Sequence, residues 1–417
     1  MLGLINHVVP ILRWAYHRMP RPVRGMLQRI IPRPKAHNVP VSDLWLLESA
    51  TWNPLRDKRA LVSYITHAFQ QFSPGDARNV QFSNIGIARS IVRILNELGY
   101  IVDVVEWSDT EFVPNKHYDL FIGHGGCNFE RIARKLLPEA VSIYFSTGVY
   151  WNEWNRIEEE RFRWLEERRG VRLPHDRWIQ HGEEYANQSA DGIICLGNDV
   201  AKDSYSQFPL VINLNNATYN DDRYDWAQKD FASGVDNFLF FSGGGNVHKG
   251  LDLLLEAFVQ VDAHLYICQH IEPDFHDLYR HELEDFPNIH LVGPVPMRGP
   301  QFYKLVDTCN FVIHPSCAEG QPGSTIECMH QGLIPVVSRE NNIDTNDYGI
   351  TLDTCDIAEI ARVVSDLSQR PPEWCEEMSR RVRRVALSHF SEAAFLRNMR
   401  DAIQRVISLS SRKSLKV

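Results

Sequence analysis

Short apolar segments of strand length alternate with helical segments through both halves of the chain. The strand candidates are rich in β-branched and aromatic residues, and the segment "SNIGIARSIVRILNELGY" carries apolar residues at helical spacing. Helices join parallel strands, so this alternation predicts an α/β fold with helices on both faces of each sheet. The predicted strands are 60–66, 101–107, 119–123, 141–146 and 192–197 in the first half, and 237–241, 264–268, 288–293, 310–315 and 334–338 in the second.

The length of the chain, 417 residues, exceeds what one hydrophobic core usually supports. Two doubly wound, Rossmann-like domains are therefore predicted, with a boundary where the polar and acidic stretch 217–237 loses its periodicity. The charged pattern of 151–190 predicts a helical segment with a solvated face, and its tryptophans Trp151 and Trp154 directly follow a predicted strand end, where ligands bind in open α/β sheets. The predicted parts are a basic amphipathic segment 1–40, a first domain 41–216, a linker 217–237, a second domain 238–387 and a C-terminal helical segment 388–417.

The net charge of −9 is spread unevenly, because residues 1–42 hold seven arginines or lysines and no acid. This segment has no apolar run long enough to span a bilayer, and its charges follow the apolar part, unlike those of a signal peptide. Two interpretations stay open. Residues 1–35 bind an anionic membrane surface, or they pack on the body of the protein. The rest of the chain has a net negative charge, so the sequence does not indicate binding to nucleic acid.

Eight cysteines are scattered along the chain, with no C-x-x-C pair. This distribution predicts reduced, buried thiols and a cytoplasmic protein, which the basic segment would hold at the inner membrane face. Clustered metal-ligand spacing is missing from the sequence, so no metal site is predicted.

A glycine-rich turn joins a predicted strand to a helix in "FLFFSGGGNVHKGLDLLLEAF". Gly243, Gly244 and Gly245 let the backbone approach a bulky ligand, and Lys249 adds a positive charge just before the helix. A helix N-terminus attracts anions, so the turn predicts a diphosphate site. The spacing matches neither the dinucleotide fingerprint nor the Walker A loop, and a purely structural turn is the alternative.

A second loop of this kind follows the strand "NFVIHP". Pro322 and Gly323 cannot lie inside a helix, so residues 315–323 are predicted to form a loop at the carboxyl end of that strand. The next helix is expected to start near Ser324. The amides of Gly323, Ser324 and Thr325 would then form a second cradle for an anion.

Glu319 and Glu327, eight positions apart, flank the Pro-Gly pair of this loop. In one interpretation Glu319 faces the group beyond the phosphates and Glu327 accepts hydrogen bonds from ribose hydroxyls. In the other, Ser324 and Glu327 form a capping box, and Glu327 bonds back to the Ser324 amide. Glu319 has no capping role, which favours a ligand site. As a loop carboxylate it is expected to contribute little to stability.

These motifs resemble the donor-binding half of GT-B glycosyltransferases, specifically the family-4-like retaining group. The resemblance rests on the E-x7-E spacing after "PS", on "GLIPVV" after it, and on "GGGNVHKGLDLLLEAF" and "LVGPVPMRGPQFYKLVDTCNFVIHPS" before it, and it covers about residues 190–405. It implies two domains that face each other across a cleft, with a UDP- or GDP-linked sugar donor on the second and an acceptor on the first. It also implies a terminal helix that crosses back to the first domain. No metal or other cofactor is required.

The resemblance further implies a role for each residue of the two loops. Glu319 would bind the donor sugar, Glu327 the ribose, and Lys249 the diphosphate, with Glu319 and Lys249 closest to the chemistry. The implied donor-binding residues are Gly243, Gly244, Gly245, Lys249, Pro322, Gly323, Ser324, Thr325 and Glu327.

The chain departs from the family pattern in the second domain. Gly244 stands where an arginine is usual, so one of two expected phosphate cations is missing. His248, Arg298 or Arg339 are the predicted substitutes.

The first domain departs from the pattern as well. Thr147 stands where the family often has a histidine. His124, at a neighbouring strand end, is predicted to have a related function, and a purely structural role is the alternative. The predicted acceptor-side residues are Asn84, Gly86, His124, Thr147 and Trp151.

The sequence therefore predicts a glycosyltransferase that moves a hexose from a nucleotide-diphosphate sugar to a saccharide or lipid-linked acceptor with retention, in surface polysaccharide or glycan synthesis. Two alternatives stay open. One is a non-catalytic partner that only binds the nucleotide-sugar, and the other is a GT-B-type epimerase of sugar nucleotides.

Overall fold

The computed structural model describes residues 40–47, 58–70, 82–221 and 223–414. The basic segment 1–40, apart from its last residue, lies outside these ranges. The described chain contains two sheets, and helices pack on each of them. The prediction of two doubly wound sheets is therefore confirmed.

The first sheet has seven strands in the order β1-β3-β2-β4-β5-β6-β7. All neighbours are parallel except β1, which runs antiparallel to β3 at the edge. The order reverses between β2 and β4, which makes the carboxyl ends of these central strands a switch point. The strands are β1 (Val41–Leu44), β2 (Arg59–Tyr64), β3 (Ile101–Glu106), β4 (Leu120–Gly123), β5 (Val141–Ser146), β6 (Gly192–Leu196) and β7 (Val211–Leu214).

The second sheet has six parallel strands in the order β10-β9-β8-β11-β12-β13. Its order reverses between β8 and β11, so the loops after these two strands lie at its switch point. The strands are β8 (Asn237–Phe241), β9 (His264–Cys268), β10 (Ile289–Leu291), β11 (Phe311–His314), β12 (Ile334–Ser338) and β13 (Ile350–Leu352). Every predicted strand is present with ends within two residues, whereas β1, β7 and β13 were not predicted.

Helices cover both sheets, as the apolar spacing predicts. In the first helix Ile87, Ile91, Ile94 and Leu95 are buried, and Gly99 turns the chain out of it with φ of +96°. None of the described helices is long and apolar enough to cross a membrane. The helices are α1 (Ser83–Glu97), α2 (Phe129–Ala133), α3 (Trp151–Arg169), α4 (Glu184–Ser189), α5 (Asp199–Asp203), α6 (Leu251–Phe258), α7 (Pro273–Leu278), α8 (Arg280–Glu284), α9 (Pro300–Thr308), α10 (Gly323–His330), α11 (Ile357–Ser368), α12 (Pro372–His389) and α13 (Glu392–Ser414).

The C-terminal helix α13 packs on the first sheet. Phe395, Met399, Ile403 and Val406 are buried in the same cluster as α1 and strands β2 to β6. Just before α13, the chain runs alongside Thr218, whose amide donates to the carbonyl of Phe390 at 2.9 Å. The chain therefore leaves the first sheet near Thr218 and returns to it near Phe390, and these two crossings lie side by side. The domain boundaries predicted at 217–237 and 388 stay predictions.

The prediction of a solvated helical segment over 151–190 is wrong in two respects, because α3 ends at Arg169 with irregular chain up to α4, and because α3 has a buried face. Phe162 and Leu165 are buried in the core of the second sheet. The guanidinium of Arg168 lies 2.6 Å from the Asp252 carboxylate, and that of Arg169 lies 2.6 Å from Glu282. These partners are far away in the sequence, so a helical pattern alone could not identify them.

Candidate active site

A cavity of about 510 Å³ opens at the carboxyl ends of strands from both sheets. From the second sheet, its walls include Ser242 to Gly244 after β8 and Glu319 to Ser324 after β11. From the first sheet, Asn84 at the start of α1 and Thr147 after β5 face it. Ligands of open α/β sheets bind at such switch points, so this cavity is the candidate active site.

The glycine loop after β8 is open to this cavity. A Cβ atom at Gly243 or Gly244 would meet no atom within 4 Å, so the backbone there faces free space. Gly250, which precedes α6, has φ of +82°, and a side chain on it would collide with the carbonyl of Pro315. The loop after β8 is therefore seated directly against the loop after β11.

The start of α10 faces the same cavity. Gly323 is the first residue of α10, and Pro322 before it makes no side-chain cap. The first amides of a helix have no partner within the helix, and they carry the positive end of its dipole. Gly323 and Ser324 line the cavity together with Gly243 and Gly244, so both predicted anion cradles open into one space. Thr325 is buried instead, with its hydroxyl 3.1 Å from Nδ1 of His314.

Lys249 and Glu319 form a buried ion pair in the wall of the cavity, and each residue is only 6% exposed. Burial raises the pKa of the Glu319 carboxyl, but the positive charge of Lys249 outweighs it and holds the pKa below its usual range. The expectation that Glu319 contributes little to stability is therefore wrong. Its removal would leave a buried ammonium group without a partner.

Glu319 also lies at the contact between the two sheets. A side chain on the next residue, Gly320, would collide with the carbonyl of Thr147, which follows β5. Only glycine permits this approach, because it has no Cβ atom. The carboxylate of Glu319 is thus held where residues of both sheets line the cavity.

Glu327 is fully buried and does not cap α10. Nε of Arg298 donates to Glu327 at 2.6 Å, Nη2 of Arg298 donates at 3.0 Å, and the Thr218 hydroxyl donates at 2.5 Å. The capping-box interpretation is therefore wrong, because the carboxylate is bound to Arg298 and Thr218 instead of the Ser324 amide. Glu327 is also absent from the cavity wall. A ribose contact by this residue stays a prediction, and it requires Thr218 or Arg298 to give way to the ribose hydroxyls.

The three cations proposed as substitutes for an arginine at position 244 lie elsewhere. Arg298 is paired with Glu327. His248 is fully buried against Glu158 and Cys317, and Arg339 lines a different cavity. Against the lowering effect of burial, Cys317 and Glu158 raise the pKa of His248 to about 9. Its ring therefore carries a charge, but the charge belongs to a buried cluster outside the cavity.

Trp154, which follows a predicted strand end, lines the cavity, whereas the sequence analysis missed other lining residues such as Arg177 and Asn216. The amide of Asn216 donates to the Gln321 side chain at 2.7 Å, which ties the end of the first sheet to the loop before α10. Asn216 comes just after the apolar run of β7, and this position could have marked it in the sequence as a residue at a strand end. Arg177 lies in an irregular segment for which the charged pattern had predicted a solvated helix, so its position at the cavity could not be inferred.

A second cavity of about 630 Å³ adjoins the first, and Thr147, Trp154 and Arg177 line both. Its wall also includes Trp107, His124, Trp178 and Glu183. The predicted acceptor-side residues Gly86 and Trp151 line neither cavity. A side chain at Gly86 would instead meet the ring of Phe82 at 2.6 Å.

His124 and Glu183 are the titratable groups of interest in this second cavity. Nδ1 of His124 lies 2.9 Å from the carbonyl of Phe145, which can only accept, so Nδ1 carries the proton and Nε2 is free to accept. Burial lowers the pKa of His124, which keeps the ring neutral. Burial raises the pKa of Glu183 to about 7. Both groups can therefore accept a hydrogen bond from a hydroxyl near neutral pH, Glu183 in its ionised form.

Comparisons with known proteins show which family model and which solved folds this chain resembles. Residues 236–370 match the family model described as Glycosyl transferases group 1. No curated protein matches the sequence significantly. The fold is similar to that of sucrose-phosphate synthase from Thermosynechococcus elongatus, with 13% identity, 85% of this chain and 100% of that chain covered, and a TM-score of 0.58.

Two further solved structures have the same fold. A glycosyltransferase from Rickettsia africae is 13% identical, with 84% of this chain and 99% of that chain covered and a TM-score of 0.54. Anabaena HepE in complex with UDP and glucose is 13% identical, with 83% and 100% covered and a TM-score of 0.52. The class that these comparisons define is a protein with two Rossmann-like domains of the GT-B fold, in which residues 236–370 match a glycosyltransferase domain.

Proposed function

We propose that the chain transfers a hexose from a nucleotide-diphosphate sugar to a saccharide or lipid-linked acceptor, with retention. The observation that supports this most is the single cavity into which the glycine loop with Lys249 and the uncapped start of α10 both open. Two groups of amides and a lysine directed into one space suit the two phosphates of a donor.

The proposed roles follow from the chemistry of the groups that line the cavity. The diphosphate binds to the amides of Gly243, Gly244, Gly323 and Ser324, and Lys249 supplies a full charge beside them. Negative charge builds up on the diphosphate as the glycosidic bond breaks, and fixed amide dipoles stabilise it without reorganising. Glu319 is held beside Lys249 and accepts from hydroxyls of the donor sugar.

The acceptor is proposed to bind in the second cavity. A saccharide has apolar ring faces and many hydroxyls, and this cavity offers indole rings of Trp107 and Trp178 with the polar groups of His124 and Glu183. The cavity shares Thr147 and Trp154 with the donor cavity, so the two substrates would meet there.

The base of the donor and the cellular site are also proposals. Anabaena HepE has been solved with UDP-glucose and with UDP, which makes UDP-sugars the first donors to test and GDP-sugars the second. A role in surface polysaccharide synthesis, with residues 1–35 at the inner membrane face, rests on the basic composition of that segment.

Turnover of labelled donors tests this function. Purified protein is incubated with UDP- and GDP-linked hexoses, with and without saccharide and lipid-linked acceptors, and products are separated by chromatography. We expect release of the nucleotide diphosphate together with a labelled product that retains the donor's anomeric configuration. Tight binding with no turnover of any donor would contradict the proposal and support a non-catalytic partner. Epimerised donor in the absence of acceptor would support the epimerase instead.

A further inference from the structure

Arg177 lies between α3 and α4 and lines the donor cavity and the second cavity. It belongs to the part of the chain between two strands of the first sheet, and yet it faces the glycine loop of the second. A Cβ atom on Gly245 would lie 3.3 Å from Cγ of Arg177 and 3.4 Å from its Cδ. The stem of this arginine is therefore packed directly against the predicted phosphate loop.

The backbone around Arg177 is held from several sides. Its amide donates to the buried Glu158 carboxylate at 2.6 Å, and its carbonyl accepts from the Trp154 indole at 3.0 Å. The preceding residue, Asp176, accepts from the amides of Val247 and His248 at 2.9 and 3.1 Å. These bonds fasten the segment to the glycine loop, so the position of Arg177 relative to that loop is fixed by the fold.

Of the lysine and arginine side chains that line this cavity in the described part of the chain, only that of Arg177 has no acidic partner. Lys249 is paired with Glu319, and Arg298 is paired with Glu327. Arg177 is exposed, and within the described residues its side chain takes part in no ion pair or hydrogen bond. A diphosphate carries more negative charge than one lysine that already has a carboxylate partner can balance. The cavity therefore needs a second cation.

We propose that Arg177 binds the diphosphate of the donor and supplies this second positive charge from the first-sheet side of the cleft. The inference rests on the proposed function, because it assumes a nucleotide-diphosphate ligand. The planar guanidinium donates two parallel hydrogen bonds to phosphate oxygens, which an ammonium group cannot do. Because Arg177 also lines the second cavity, the bound diphosphate connects the two substrate sites.

The test is the substitution Arg177→Gln, which keeps the Cβ, Cγ and Cδ atoms of the stem and a polar end and removes the charge. UDP, GDP and their nucleosides are titrated into wild type and variant by calorimetry. We expect the affinity for the preferred diphosphate to fall by about 10- to 100-fold, while nucleoside affinity changes by less than about twofold. Arg163→Gln, on the exposed side of α3, is the matched control and should leave both affinities unchanged.

A second substitution tests whether charge alone is responsible. A Cβ atom at Gly244 would meet no atom within 4 Å, and Gly244 lines the donor cavity, so Gly244→Arg is introduced into the Arg177→Gln variant to return a positive charge to the cavity wall. We expect it to recover about tenfold or more of the lost affinity for the diphosphate. Unchanged diphosphate affinity in Arg177→Gln, or equal losses for diphosphate and nucleoside, would overturn the inference. Wild type that binds no nucleotide diphosphate would overturn the proposed function itself.

Discussion

Replacing Lys249 by Met is expected to weaken binding of the nucleotide diphosphate by about 10- to 100-fold and to leave nucleoside binding within about twofold. The reason is that Lys249 lies in the wall of the donor cavity between the glycine loop and α6, and it contributes a full charge there. Calorimetric titration of diphosphate and nucleoside measures the difference. Lys202→Met, at an exposed position on α5, is the matched control.

The ion pair with Glu319 complicates this experiment, because the single substitution leaves a buried carboxylate without its partner. The double variant Lys249→Met with Glu319→Gln removes both charges and so isolates the effect on phosphate. It should bind the diphosphate more weakly than wild type but more tightly than the single variant, in which the unpaired Glu319 carboxylate repels the phosphates. Diphosphate affinity at the wild-type level in the double variant would show that Lys249 does not contact phosphate.

Replacing Glu327 by Ala is expected to lower the free energy of unfolding by about 3 to 5 kcal/mol. The substitution leaves the guanidinium of Arg298, which is only 7% exposed as a residue, without the carboxylate that accepts from it at 2.6 and 3.0 Å. Equilibrium denaturation in urea, followed by circular dichroism, measures the change. Glu139→Ala, an exposed glutamate in a loop, is the control and should change stability by less than about 0.5 kcal/mol.

The capping-box interpretation makes a different prediction for the same substitution, because loss of a cap costs about 1 kcal/mol. A measured loss of that size would contradict the buried ion pair. The double variant Glu327→Gln with Arg298→Met offers a further check. Because it removes the unpaired charge, it should recover much of the stability that Glu327→Ala loses.

The two loops of the donor cavity were predictable because glycine and proline mark chain geometry locally. Gly243 and Gly244 follow an apolar strand, and the pair Pro322 and Gly323 precedes a helix. Glycine and proline constrain the backbone only within a few residues, so the local sequence is enough to predict these loops. The order of strands then brings the loops together, because both follow the central neighbours β8 and β11.

The electrostatic partners of the site were not predictable in this way. Lys249 and Glu319 are 70 positions apart, and Arg298 and Glu327 are 29 apart. Arg177 is brought to Gly245 only because α3 packs on the second sheet. Such contacts depend on the tertiary fold, and no periodicity in the sequence encodes them. Three short edge strands, β1, β7 and β13, were missed because they are partly exposed and so lack the continuous buried run that marks the equally short β4 and β11.

The central claim is that the glycine loop after β8 and the start of α10 bind one diphosphate between them. A crystal structure of the protein with UDP or GDP, whichever binds more tightly, tests it directly. We predict both phosphates in the 510 Å³ cavity, within hydrogen-bond distance of amides at Gly323 and Ser324 and of the loop at Gly243 and Gly244. A nucleotide bound with its phosphates outside this cavity, or in contact with only one of the two loops, would contradict the claim.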